Sequence, residues 1–96
     1  MAALSKNEIQ EKLRDMRGWS HVGKSIQKRY TLKSFVPAIG LVNKIAEVAE
    51  TAGHHPDITI NYNVVSIALS THSEGGVTQK DFDLAQQIEK LAATHS

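Results

Sequence analysis

Residues 35–72 read FVPAIGLVNKIAEVAETAGHHPDITINYNVVSIALSTH, and the apolar periodicity changes within that stretch. Up to Ala49 the apolar positions recur at helical spacing: Phe35, Ala38 with Ile39, Val42, Ile45 with Ala46, and Ala49. Ser34 can cap this helix, and Pro37 falls in its first turn, where a missing N–H is tolerated. Gly53 suits the left-handed position just past a helix end, and Pro56 prevents continuation. Beyond Pro56 the pattern alternates. Ile58, Ile60 and Tyr62 share one parity, and Val65, Ile67, Leu69 and Thr71 share the other. A parity change between Asn61 and Val64 is what a hairpin turn or a bulge produces. The stretch therefore predicts a long helix with an apolar stripe broad enough to cover a sheet. Paired strands over 57–61 and 64–72 follow it, with His72 ending the second.

Working outward, Ser5 and Glu8 have the spacing of a capping box, with Leu4 and Ile9 at the hydrophobic-staple positions. Ile9, Leu13 and Met16 form a narrow stripe on a short first helix that ends at Gly18. Segments 19–22 and 25–32 flank Gly23-Lys24 and predict a hairpin, although Lys28 interrupts the apolar face of the second strand. After Gly75-Gly76, Thr78 and Asp81 resemble an N-terminal capping pair, and Phe82, Ala85, Ile88, Leu91 and Ala92 share a helical face. The order is α-β-β-α-β-β-α. One-sided strands and helices favour an α+β fold of two layers, a four-stranded antiparallel sheet with helices packed on one face. Covering the open face or the edges against another subunit would also help a small core, so a homo-oligomer is expected.

The chain has 96 residues, with 41% hydrophobic and 22% charged, which suits one globular domain spanning 1–96 and excludes disorder. A net charge of +1 gives no general reason to bind nucleic acid or an anionic membrane. The basic residues Lys24, Lys28, Arg29 and Lys33 read as a solvated face. Without cysteine there is no disulfide, thiolate zinc site or cysteine nucleophile. No apolar run approaches the roughly 20 residues of a membrane span, and no secretory leader is recognisable. A reducing compartment fits, the cytoplasm with the nucleus as a second possibility.

Five histidines remain as the carriers of chemistry near neutral pH. His54-His55-Pro56 directly follows the long helix, and the predicted hairpin would return His72 towards them. Imidazoles in one cleft could exchange protons with a substrate. Glu50, one turn before, can orient an imidazole or accept a substrate N–H. Asp81 can face the same site while capping its helix. His21 and His95 are assigned to the surface, and Trp19 and Tyr30 to the core or an interface. A three-histidine metal site is disfavoured, because adjacent His54 and His55 lack a converging spacing.

The combined spacing of Glu50, His54-His55-Pro56, Tyr62, His72 and Asp81 resembles the signature of the pterin-4a-carbinolamine dehydratases. Gly18-Trp19, Phe35, Ala49-Glu50, Leu69 to His72 and Gly76 to Asp81 match as well, from about Gly18 to Ile88. The resemblance implies the same α+β fold, in dimers or tetramers. It also implies loss of water from a 4a-hydroxytetrahydropterin to give quinonoid dihydropterin, without metal or organic cofactor. That step recycles tetrahydrobiopterin after an aromatic amino-acid hydroxylase has acted. By the same resemblance His54 and His72 are the acid–base pair and His55 positions substrate. Glu50 and Asp81 support pterin N–H groups or His72, and backbone around Ser70, Thr71 and His72 contacts the ring. Two departures bear on substrate preference: Gly53 stands where many members carry an acid, and Ile58 where many carry Trp. Some members also serve as dimerisation cofactors for a transcription factor. That alternative is disfavoured by the polar outward face of the long helix (Asn43, Lys44, Glu47, Thr51).

Overall fold

In a computed structural model, which describes residues 3–94, Ser5 caps α1 (Lys6–Leu13) in both directions. Its hydroxyl accepts from the Glu8 N–H at 3.1 Å, and the Glu8 carboxylate accepts from the Ser5 N–H at 2.8 Å. The chain continues through β1 (Ser20–Val22), β2 (Ser25–Thr31), α2 (Phe35–Ala52), β3 (Asp57–Asn61), β4 (Val64–Leu69) and α3 (Gln79–Thr94). His95, read as a surface residue, lies outside the described residues.

The sheet is antiparallel throughout, in the order β1-β2-β4-β3. Register explains which face is apolar. Val65 lies opposite Tyr30 and Ile60, Ile67 opposite Lys28 and Ile58, and Leu69 opposite Ile26. Directly paired residues point to the same side, so one face gathers nearly every apolar strand residue. Against it pack Ala38, Leu41, Ile45 and Ala49 of α2, and Phe82, Leu84, Ala85 and Ile88 of α3. Ile9 and Trp19 close the core. The other face presents Gln27, Arg29, Asp57, Thr59, Ser66 and Ala68 around a shallow hollow. The α-β-β-α-β-β-α order and the two-layer architecture are those predicted from the sequence.

Four local expectations need correction. Helix α1, expected to run to Gly18 with Met16 on its stripe, ends at Leu13, and Met16 lies in the turns that follow. The strand expected over 64–72 ends at Leu69. Thr71 instead bridges Gly76, and His72–Glu74 form a tight 3₁₀ turn closed by Gly75 at φ 75°. His72 thus begins a turn rather than ending a strand. Ser34 occupies the cap position of α2 but makes no side-chain cap bond. Phe35, placed on the apolar stripe, is half exposed, and Val36 beside it is more exposed still.

Candidate active site

The site is built where α2 ends and α3 begins. Gly53, at φ 66°, lets the chain turn out of α2 while its N–H and that of His54 bond the last helical carbonyls. His54 turns inward, with its side chain 13% exposed, and His55 turns outward at 63%.

His54 Nε2 lies 2.5 Å from Asp81 Oδ1. Asp81 is completely buried. Its second oxygen accepts from the Thr71 hydroxyl and from the Thr78 backbone N–H, each at 2.9 Å. The Thr71 and Thr78 hydroxyls are themselves 2.8 Å apart, and Thr78 Oγ1 accepts from the Lys80 N–H at 3.3 Å. Asp81 is therefore both the capping carboxylate expected at the start of α3 and the partner of an imidazole. Burial of an ionisable group without partners would cost several kcal/mol. Here both oxygens are satisfied.

His55 Nε2 lies 2.5 Å from Glu50 Oε1, an exposed pair closed across the end of α2. His72 is exposed, and among the described residues no side-chain hydrogen bond joins it to His54 or His55. The link between them runs through bonds: His54 to Asp81, Asp81 to Thr71, and Thr71 to His72 along the chain. Ser70 is half-buried beside this bend. The Thr71 side chain points into the buried cluster, away from solvent. Among the described residues no three His, Asp or Glu side chains are placed to hold a metal ion.

A second polar cluster was not anticipated. Glu89 Oε1 accepts from Trp19 Nε1 at 2.9 Å, from Lys28 Nζ at 2.5 Å and from the Tyr30 hydroxyl. Lys28 also donates to the Arg17 carbonyl at 2.9 Å and lies over the Tyr30 ring. Lys28 does not belong to the solvated basic face: its side chain is only 17% exposed. Burial pushes the Glu89 carboxyl up, but the bonds from Lys28, Tyr30 and Trp19 outweigh it and hold it below the usual carboxylate range. Burial, then the bond to Glu89 and its charge, push the Tyr30 phenol up. One signal could have revealed the cluster. A lysine at an inward strand position needs a carboxylate, and Glu89 sits beside the apolar stripe of the last helix.

Two imidazole–carboxylate pairs thus stand at the end of α2, the inward His54–Asp81 and the exposed His55–Glu50, with His72 on the turn before α3. The chain belongs to the pterin-4-alpha-carbinolamine dehydratase family, matching the family described as "Pterin 4 alpha carbinolamine dehydratase" over residues 2–91. A Cyanothece relative bearing that name provisionally is 54% identical over 89 residues, which is 93% of this chain and 92% of its own. A transcriptional coactivator/pterin dehydratase from Brucella melitensis has a crystal structure with TM-score 0.90 to this one. It is 36% identical, covering 94% of this chain and 98% of its own. A pterin dehydratase-like protein identified as a RuBisCO assembly factor in the alpha-carboxysome shares the fold, with TM-score 0.64. Its identity is 20%, over 77% of this chain and 86% of its own.

Proposed function

We propose that this protein dehydrates a 4a-hydroxytetrahydropterin to quinonoid dihydropterin by histidine general acid–base catalysis. The substrate class is that of tetrahydrobiopterin, regenerated after an aromatic amino-acid hydroxylase has turned over. The observation that carries the reading is the His54–Asp81 pair, an imidazole anchored by a fully buried carboxylate in a chain of this family.

The reaction asks for little beyond proton transfer. In a carbinolamine the adjacent ring nitrogen has a lone pair that forms the C=N bond as the C–O bond breaks. The hydroxyl leaves as water once it receives a proton, and a ring N–H gives up a proton to restore neutrality. His54 and His72 are proposed as the acid–base pair. His55, held by Glu50 at the rim, is proposed to position the flat ring, with backbone from Ser70 to His72 along its edge. General acid–base groups supply about 10²–10⁴-fold, which suits a reaction that already proceeds unaided.

The test is absorbance-monitored decay of a chemically generated 4a-carbinolamine. Wild-type protein should accelerate it, and His54→Ala and His72→Ala should each lower turnover by about 10²-fold or more. The exposed His72→Ala should keep the wild-type melting temperature, whereas His54→Ala, which leaves Asp81 Oδ1 without its partner, should melt lower while still folding. No acceleration by wild-type protein overturns the dehydratase reading. Wild-type rates in both variants overturn the assignment of the pair.

A further inference from the structure

Among the described residues the buried polar or charged side chains are Thr71, Thr78 and Asp81, and all three belong to one hydrogen-bonded cluster. Valine would fill the place of either threonine without a polar atom to satisfy. The cluster nevertheless lies directly behind His54.

Its protons can be assigned one by one. A hydroxyl has a single proton to donate. Thr71 donates its own to Asp81 Oδ2, so the 2.8 Å bond between the threonines is donated by Thr78. Thr78 Oγ1 in turn accepts from the Lys80 N–H. The chain therefore has a direction, from Thr78 to Thr71 to Asp81. With two donors on Oδ2, the carboxylate plane is fixed and Oδ1 is aimed at His54. A carboxylate only accepts, so Nε2 carries the proton in that contact. Nδ1 is left over. No hydrogen bond among the described residues uses it, and no buried side-chain nitrogen or oxygen lacks a partner, so Nδ1 opens to solvent.

We propose that Thr71 and Thr78 are positioning residues that commit Nε2 of His54 to Asp81, leaving Nδ1 as the atom through which His54 exchanges protons. In the neutral ring Nδ1 offers a lone pair, and in the imidazolium it offers a proton. Either direction of transfer uses the same atom, and the ring does not have to turn over. The catalytic part of this assignment rests on the dehydratase reading; the tautomer does not.

The experiment is ring ¹⁵N NMR of labelled protein, at a pH where the His54 ring is neutral, paired with steady-state kinetics. Wild-type protein should show the Nε2–H tautomer, and a dominant Nδ1–H tautomer overturns the proposal. In Thr71→Val a mixture of tautomers should appear. Its kcat should fall about 10-fold with KM unchanged, part of the about 10²–10⁴-fold available to an acid–base group. Thr71→Ser should restore both. A raised KM with unchanged kcat would mean that the hydroxyl touches substrate, and would overturn the positioning role. If Thr71→Val fails to fold, Thr78→Val, which removes the donor behind Thr71, carries the same expected tautomer mixture and kcat loss, and unchanged tautomer and kcat in it overturn the positioning role. If wild-type protein shows the Nε2–H ring but no turnover, the dehydratase reading fails and the tautomer assignment stands.

Discussion

Removing the charge of Glu89 should weaken the fold well before it affects the histidine site. Its Oε1 atom takes three donors from separate segments, Trp19 after α1 and Lys28 and Tyr30 on β2, so it ties α3 to the first third of the chain. A hydrogen bond with a charged group contributes about 1.5–3 kcal/mol, roughly twice a neutral one. Three such bonds cannot simply be added, because they share one acceptor and the Glu89 side chain is 35% exposed. Glu89→Gln keeps an oxygen acceptor and loses the charge, for an expected loss of about 1–2 kcal/mol. Glu89→Ala also strands the Lys28 ammonium, and about 2–4 kcal/mol is expected. A domain of this size has a total stability of about 5–14 kcal/mol. Since 1 kcal/mol shifts the melting temperature of such a domain by about 4–8 °C, Glu89→Gln should melt about 4–16 °C lower at pH 7. The pH dependence has a definite sign. The folded carboxyl sits below its unfolded value, so its contribution is complete above the unfolded value of about 4.3 and is lost as the pH falls through the folded one. Circular-dichroism melts of both proteins from pH 7 to about pH 3 should therefore converge. Melting within 1 °C of wild type at pH 7, or a gap that stays constant down to pH 3, would refute the reasoning.

Two backbone positions offer independent checks. At Gly18, φ is 88° and an added Cβ would lie 2.8 Å from Lys28 Cε, so Gly18→Ala should cost about 1–2 kcal/mol and lower the melting temperature by about 4–16 °C. A side chain at Gly18 would also press on the Glu89 cluster, and its effect should be smaller in a Glu89→Ala background. Tyr62 is the one non-glycine residue with positive φ among the described residues, at 53°, in the two-residue turn between β3 and β4. Asn tolerates that conformation better. Tyr62→Asn should raise the melting temperature by a few degrees, and a fall would show that the Tyr62 side chain contributes more than its backbone strain costs.

The elements were legible because their signals are local. Period 3.6 in α2, the Gly53 and Pro56 stop, the Ser5–Glu8 capping box and the parity change at Asn61–Val64 each act within a few residues, and each appears in the fold. The Asp81 cap was legible for the same reason. What stayed hidden depends on how distant segments meet. Alternation along 64–72 counts inward positions but not the Thr71–Gly76 bridge, which turns His72 out of the strand. Lys28 read as solvated because most lysines are. Its inward register opposite Ile67 exists only once β2 and β4 pair, and Glu89 reaches it only through the packing of α3.

The same geometry changes what the two departures from the family pattern mean. By the resemblance many members carry Trp at the position of Ile58, a departure expected to bear on substrate preference. Ile58 instead lies opposite Ile67 on the helix-covered face of the sheet, packed against the core. A side chain at this position packs against the core through β3. Gly53 stands where an acid is common, at φ 66° with open space around an added Cβ. An aspartate would strain the backbone there only modestly, since Asp is among the residues that enter this region most readily. It would not take over the inward imidazole, because Oδ1 of Asp81 already holds Nε2 of His54 from inside the core. His55, two residues on, points outward and is already paired with Glu50. An acid at position 53 would therefore project into open space on the outward side of the helix end. The buried half of the site, Thr78 through Asp81 to His54, is complete in this chain without it.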